Sequence, residues 1–286
     1  MANAPDRFPF ATGPAETLKR DFGQLEYKVA ETFEEFEGAA RLVYREYSKR
    51  GYAKPNPNSL KLILWQALPQ TTTFIVNTHG EVVATLSLIP DSPLALPIEL
   101  TYSREIAHLR TQGRRLAEVG LLALDTDRFG HGIFSMTHPR KLFFLFRLFK
   151  LMHDHARFVD RAEDLVIAFN PKHQLLYRFL CFEPLGEVSH YEGDPHRPAV
   201  AMRLNLRTAE EKYRRIASRH HFFFGKPTPM TKFANRLRLE PEGLKRLFVL
   251  QTPLFSHASP QQLEYIKSCY PGYDFRLILN GHQAGA

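Results

Sequence analysis

The stretch TTTFIVNTHGEVVATLSLIP, residues 71–90, constrains this chain more than any other. Two runs rich in Thr, Val, Ile and Leu flank Asn77-Thr78-His79-Gly80, a hairpin signal, because a tight turn needs residues that accept positive φ. A hairpin makes its two strands antiparallel, so the fold has to be built around a sheet that is at least partly antiparallel.

The remaining segments alternate strand and helix patterns around that hairpin. EYKVA (26–30) reads as a strand, and Thr32 followed by Glu35 is a capping-box signature. Phe33, Phe36, Ala40, Val43, Tyr44 and Tyr47 recur at helical spacing until Gly51 closes the helix. NSLKLILWQAL (58–68) predicts a second, short helix. A long Pro-broken connection, 90–114, holds a helical stretch near REIAHLRTQ. RLAEVGLLAL (115–124) reads as a buried strand, and 138–162 as a long Phe-rich helix after the Gly-rich turn RFGHG. DLVIAFN (164–170) is another strand. Asn170 then caps a helix whose first residue is Pro171, Leu175, Leu176, Phe179 and Leu180 form its apolar stripe, and Pro184 and Gly186 stop it. GEVSHYE and AVAMRLNL follow as strands. The order gives an α/β fold with a central mixed, mostly antiparallel sheet flanked by helices. Residues 1–25 are expected as an N-terminal arm, 26–206 as the α/β domain, and 207–286 as a basic, mainly helical C-terminal module.

Composition narrows the class. With 286 residues and 44% hydrophobic content the chain is long enough for one large domain and an appendage. Only two cysteines, Cys181 and Cys269, occur, at no metal-ligand spacing, which argues against a disulfide framework and for a reducing compartment. The first residues have no signal-peptide core and no stretch reaches membrane-span length, so the cytoplasm is the expected location. Of the net charge of +8, residues 207–286 carry +7 (13 Lys+Arg against 6 Asp+Glu), which leaves +1 for residues 1–206. That basic surface attracts anions, but no nucleic-acid recognition motif accompanies it, so nucleic acid is not an expected partner.

Glu118 stands out on the central strand, where strict alternation puts it on one face with Leu116, Gly120, Leu122 and Leu124. A carboxylate in an apolar row is costly unless it is paired or used. Two readings stand side by side: a structural ion pair with Arg114 or Arg115, or a general base in a cleft opened by Gly120. No Ser/His/Asp set appears. His153 and His155 point apart on a helix, and HHFFF (220–224) lacks partners at ligand spacing, so no metal site is expected.

In helix–strand form, NPKHQLLYRFLCFEPLG (170–186) resembles the closing motif of the acyl-CoA-dependent N-acyltransferases of GNAT fold: Asn170, Tyr177, Leu180 and Phe182 occupy the motif's places, with Cys181 where glycine is usual. EVVATLSLIPDSPLALPIEL, the long connection and RTQGRRLAEVGLLALD together are similar to the N-acyl amino acid synthases, relatives of the acyl-homoserine lactone synthases, over residues 26–206. Of the lactone synthases' Trp-Glu-x-Ser-Arg-Phe run only Glu118 is kept, with Ala117, Gly120 and Leu121 at the tryptophan, serine and arginine places, which speaks against S-adenosylmethionine as acceptor.

The resemblance implies a bacterial-type N-acyltransferase that moves a medium- or long-chain acyl group from a thioester to the amine of an amino acid. Glu118 is then the base and Tyr177 the acid that protonates the departing thiolate. Main-chain N–H groups near Leu121, Leu122 and Ala123 hold the developing oxyanion. No permanently bound cofactor is implied; the donor is acyl carrier protein or coenzyme A. The turn after the central strand, DTDRFGHGIFSMTHPRK, carries Arg128, Gly130 and Gly132 at the wrong spacing for a pyrophosphate loop, beside acidic Asp125 and Asp127, and so favours the carrier protein. Arg140, Arg147, Lys150, Arg157 and Arg161 form a helical stripe on which an acidic carrier can dock, or else simply a solvated face. Arg104, Arg115 and Arg45 are candidates for the acceptor's carboxylate, since a guanidinium fits it in bidentate fashion. Lys212, Arg214, Arg215 and Arg219 beside the exposed-looking Phe222-Phe223-Phe224 suggest a possible peripheral membrane contact. A coenzyme-A-dependent transferase on another amine and a non-catalytic acyl-binding module are the alternatives.

Overall fold

The computed structural model describes residues 24–129, 139–191 and 196–280. Most of the expected arm, the Gly-rich turn 130–132 and the start of the following loop lie outside them. Eight strands form one sheet in the order β1-β2-β3-β4-β5-β8-β6, with β7 pairing β8. The strands are β1 (Glu26–Val29), β2 (Thr72–Thr78), β3 (Glu81–Pro90), β4 (Leu116–Leu124), β5 (Asp164–Phe169), β6 (Glu183–Pro184), β7 (Ser189–His190) and β8 (Pro198–Asn205). Among these described strands only β4 and β5 run parallel.

Local chemistry explains the frame. His79 (φ 51°) and Gly80 (φ 80°) make the tight turn between β2 and β3, whose ladder closes on Thr78↔Glu81. Helix α1 (Phe33–Ser48) starts on the Thr32–Glu35 capping box and stops where Gly51 takes φ 72°. Helix α2 (Glu99–Thr111) lies in the long connection, and helix α3 (Pro139–Phe158) buries Phe144, Phe146 and Phe149 in the main core. Helix α4 (Gln174–Phe179) follows a single 3-10 turn that Asn170 caps through Lys172 N–H. Cys181 adopts φ 61°, the left-handed conformation that glycine enters most easily.

Residues 58–68 depart from the expected helix. Ser59 takes φ 52°, Asn56 binds both Leu60 N–H and Leu60 C=O, and only Leu64–Ala67 turns, as a 3-10 helix. Leu60, Leu62 and Leu64 are buried alternately, the period of an extended chain. They face a core shared by Phe36 and Ala40 of α1 with Leu244, Leu247, Phe248 and Ile266. Residues beyond 206 are mainly short helices, and they pack into cores that the preceding residues also build. Phe223 and Phe233 enter the main core. Phe222 and Phe224 are half-buried against it, so the Phe triplet is not the exposed patch its composition suggested. Phe223 is held between Tyr213 (4.9 Å) and His153 (5.7 Å). Among the described residues no helix is long and apolar enough to cross a membrane.

Candidate active site

The sheet opens at its centre. β4 and β5 pair only through Leu116↔Asp164, Ala117↔Leu165 and Glu118↔Val166. Beyond that point the two strands part around a cavity of about 360 Å³, lined by Glu118–Leu122 on one side and Ile167–Asn170 on the other. The β3–β4 ladder shows why β4 bends. Ser87 faces Gly120 and Thr85 faces Ala123, so Leu121 and Leu122 together oppose Leu86 alone, and Leu121 takes φ 53°. This is a β-bulge, and one extra residue reverses the alternation of side chains. Leu116, Glu118 and Gly120 therefore share a face with Leu121 and Ala123, which pack on α1. Leu122 and Leu124 pass to the face of α3. The expected face of Leu116, Glu118, Gly120, Leu122 and Leu124 holds for its first three members and fails for the last two, because simple alternation does not survive a bulge.

Glu118 is 7% exposed, and its Oε2 accepts the Ile98 N–H at 2.7 Å. Burial pushes its carboxyl up to about 8, the Ile98 N–H opposes that rise, and the charge of Glu99 adds to it. The ion pair with Arg114 or Arg115 is not formed. Arg114 binds Asp164 (2.5 Å) and Asn205, and Arg115 binds Glu163 (3.4 Å) and the Arg161 carbonyl. Tyr177 lines the same cavity, 2% exposed, against Phe169 (4.1 Å), Phe182 (5.8 Å) and Phe149 (6.2 Å). Burial holds its phenol well above the usual range, with Tyr47 and Tyr191 adding to the effect, so it stays protonated and able to donate. The structure thus brings Glu118 and Tyr177 to one space. It adds Leu121 and Leu122, whose backbone leaves the ladder there, whereas Ala123 pairs with Thr85 and does not line the cavity.

The other expected contacts are distributed differently. Arg104 and Arg115 are exposed and Arg45 binds Asp125 at 2.9 Å; none of the three lines the cavity. The cations that do line it are Arg50, Lys61 and Arg197, with His173 and His196. Arg50 donates to the carboxylate and carbonyl of Glu46, while Arg197 lies 5.6 Å over the ring of Tyr191. His173 is pushed down to about 4 by burial and by Arg50 and Lys172, so it is neutral. On the α3 stripe, Lys150 pairs with the buried Asp154, Arg147 stacks on Tyr27 (4.3 Å) and Arg157 on Phe224 (4.8 Å); the side chain of Arg140 lies outside the described residues. Arg161 takes φ 52° beyond the end of α3.

Sequence reasoning passed over Arg50, Lys61, Tyr191 and Arg197. Tyr47 was legible only as an apolar position of α1, and Tyr191 and Arg197 sit beside a two-residue strand with little periodicity. Among the described residues one carboxylate trio, Glu46, Asp125 and Asp127, is close enough to share an ion. Arg45, Lys49 and Arg50 already engage those three side chains.

A slot between parting strands, lined by a carboxylate and a phenol beside a bulged strand, lies at the centre of a fold shared with N-acyltransferases of the GNAT type. The family model described as N-acyl amino acid synthase FeeM matches residues 38–205, and the chain belongs to that family. The solved structure of FeeM, an N-acyl amino acid synthase from uncultured soil microbes, is 26% identical with a TM-score of 0.55, over 66% of this chain and 94% of that one. The acyl-homoserine lactone synthase LasI (10% identity, TM-score 0.48, 72% of this chain and 96% of that one) is a more distant match. So is an acyl-CoA N-acyltransferase from Pseudomonas aeruginosa (13%, 0.40, 63% and 99%). No protein of curated function matches the chain.

Proposed function

We propose that this N-acyltransferase moves a medium- or long-chain acyl group from the pantetheine thioester of an acyl carrier protein to the amine of an amino acid, giving an N-acyl amino acid. The observation that carries this reading is that Glu118 and Tyr177 line one cavity at the point where β4 and β5 separate. The acceptor nitrogen attacks the thioester carbonyl, and its proton passes to Glu118 directly or through one water. A carboxyl raised to about 8 is well matched to an ammonium group, and its ionised form, which predominates above pH 8, is the base. The C–N bond forms, negative charge gathers on the carbonyl oxygen, and the backbone N–H groups of the bulge residues Leu121 and Leu122, which line the cavity, take up that charge. The C–S bond then breaks, the Tyr177 phenol delivers its proton to the leaving sulfur, and the second proton lost by the nitrogen restores the phenol, while the proton on Glu118 passes to solvent.

Two arrangements bear on the substrates. Near the turn after β4, Arg128 is engaged by Asp125 and Glu81, Arg45 by Asp125, and Lys49 by Glu46 and Asp127. Among the described residues near this turn the cations are already neutralised and offer little to a pyrophosphate, which favours a carrier with a single phosphate over coenzyme A. The acceptor's carboxylate falls to Arg197, which lines the cavity above Tyr191, rather than to the three arginines that sequence reasoning picked. On α3, Arg147 and Arg157 remain for carrier docking, since Lys150 is held by Asp154. Incubating the protein with carrier-bound and coenzyme A thioesters of several lengths and a pool of amino acids, with products identified by mass, tests this. Thiol release with carrier thioesters and an N-acyl amino acid product are expected. Turnover of coenzyme A thioesters alone reassigns the donor, and no thiol release from any thioester overturns the reading.

A further inference from the structure

The loop that orients Glu118 is itself held by a three-residue clamp. Glu99 and Arg110 stand eleven residues apart at opposite ends of α2, about 16 Å along an unbroken helix and beyond the combined reach of their side chains. They nevertheless meet, Arg110 Nη1 lying 2.6 Å from Glu99 Oε2. The helix is not continuous: Tyr102 takes φ −123° and ψ 44°, and its hydroxyl is anchored on the Ala199 carbonyl at 2.8 Å. The kink folds the first turn of α2 back toward its last. The rest of the Arg110 fork binds Asp91, Nε to Oδ2 and Nη2 to Oδ1, both at 2.7 Å. Asp91 is itself pinned to β4, its N–H donating to the Leu116 carbonyl at 3.0 Å. Within the clamped loop Glu99 Oε1 accepts the Leu96 N–H at 2.6 Å, and two residues on, the Ile98 N–H donates to Glu118. All three clamp side chains are largely shielded from water, at 33% exposure or less.

We infer that Arg110 is a positioning residue for the proton-accepting carboxylate: by clamping Asp91 and Glu99 it fixes the Ile98 N–H on Glu118 and neutralises the nearest like charge. This rests on the reading of Glu118 as the base. The two functions of the clamp act on Glu118 in opposite senses when its halves are removed separately. Without the Glu99 charge the carboxylate ionises more easily. Without Arg110, Glu99 is left uncompensated and the Ile98 turn loosens, and both changes make ionisation harder. A side chain that merely supported the fold would not move the two profiles apart.

The other titratable groups around Glu118 are Tyr102 on α2, Tyr191 beside β7, Arg197 before β8, Tyr47 on α1, Arg50 and Tyr52 in the turn after it, Lys61 ahead of the 3-10 turn, and His173, Tyr177 and His196 across the cavity. All of them are unchanged in both variants, so none of them produces opposite shifts.

The experiment is kcat/KM against pH for wild type, Glu99→Gln, Arg110→Met and the double variant. Glu99→Gln is expected to move the acid limb to lower pH, because glutamine still accepts the Leu96 N–H while its charge is gone. Arg110→Met is expected to move the limb to higher pH and to lower kcat by about 10- to 100-fold through misplacement of the base. The double variant, with neither charge, should fall back below Arg110→Met. Limbs that move together, or not at all in variants whose melting shows them folded, overturn the inference. If Arg110→Met fails to fold, Glu99→Gln decides alone, an unmoved limb being the refuting result. Glu118→Gln separates the two levels: an acid limb that persists in that variant rejects Glu118 as base, whereas one that vanishes there but ignores Glu99 and Arg110 rejects only the clamp.

Discussion

Replacing Glu118 by glutamine should lower activity by about 10²- to 10⁴-fold and at the same time abolish a pH dependence of stability that the carboxyl imposes. The carboxyl is raised from its ordinary value of 4.5 to about 8 by burial. A group that holds its proton more tightly in the folded state destabilises that state as pH rises: between the two values the native chain keeps a proton that the unfolded chain has lost. Stability then falls by about 1.4 kcal/mol per pH unit. Over the interval 8 − 4.5 = 3.5 the upper bound is about 5 kcal/mol, and water reaching this open cavity reduces it to about 2 kcal/mol. Glutamine carries no such dependence. It still accepts the Ile98 N–H through its carbonyl, and its amide N–H₂, short of partners, costs about 1–3 kcal/mol independently of pH. The melting temperature of wild type minus that of Glu118→Gln should therefore decline from pH 4.5 to 8 and flatten above. A contribution of 2 kcal/mol corresponds to a decline of roughly 4–8 °C in a domain of this size. Thermal melts of both proteins across pH 4–9, paired with initial rates, provide the assay. A melting difference that is flat across the range would mean Glu118 is not the buried, raised carboxylate described here. A glutamine variant as fast as wild type would remove Glu118 from the chemistry.

Three further outcomes follow from the same geometry. Tyr177→Phe keeps the ring contacts with Phe169 and Phe149 and so should fold and melt like wild type, while kcat drops by about 10²-fold; a rate close to wild type would assign the proton donation elsewhere. A Cβ added at Gly120 meets only Ile89 Cδ1, at 3.9 Å, so Gly120→Ala should be active. Gly120→Leu, by contrast, should fold yet lose binding of the acyl donor, measured by titration with an unreactive thioether analogue. Cys181 sits at φ 61°, so in urea unfolding Cys181→Gly should raise the midpoint, and the β-branched Cys181→Val should lower it, with a loss of about 1 kcal/mol or more in unfolding free energy; equal midpoints would show that the turn bears no strain.

Much of the site was legible because its signals are local. Asn170-Pro171 had to start a helix, and a helix of that length puts Tyr177 on its inner side. Glu118 stood out as a charge in an apolar strand. The long-range partners carried no such mark. Nothing near Arg104, Arg115 or Arg45 distinguishes them from Arg197, and only the folded chain turns Arg197 toward the cavity while spending Arg45 on Asp125. The stretch 58–68 contained its own warning, since Leu60, Leu62 and Leu64 alternate at the period of an extended chain while its composition favours helix.

What the sequence determined by itself is most of the elements and the two candidate side chains, Glu118 and Tyr177, because turn residues, caps and hydrophobic period act within a few positions of one another. Tertiary structure decided where those side chains point and what surrounds them. The bulge at Leu121 and Leu122 reverses the faces of β4, the parting of β4 from β5 opens the slot, and the kink at Tyr102 brings Arg110 to Glu99. Each depends on a register or a crossing between segments far apart in the chain, and no local propensity records it.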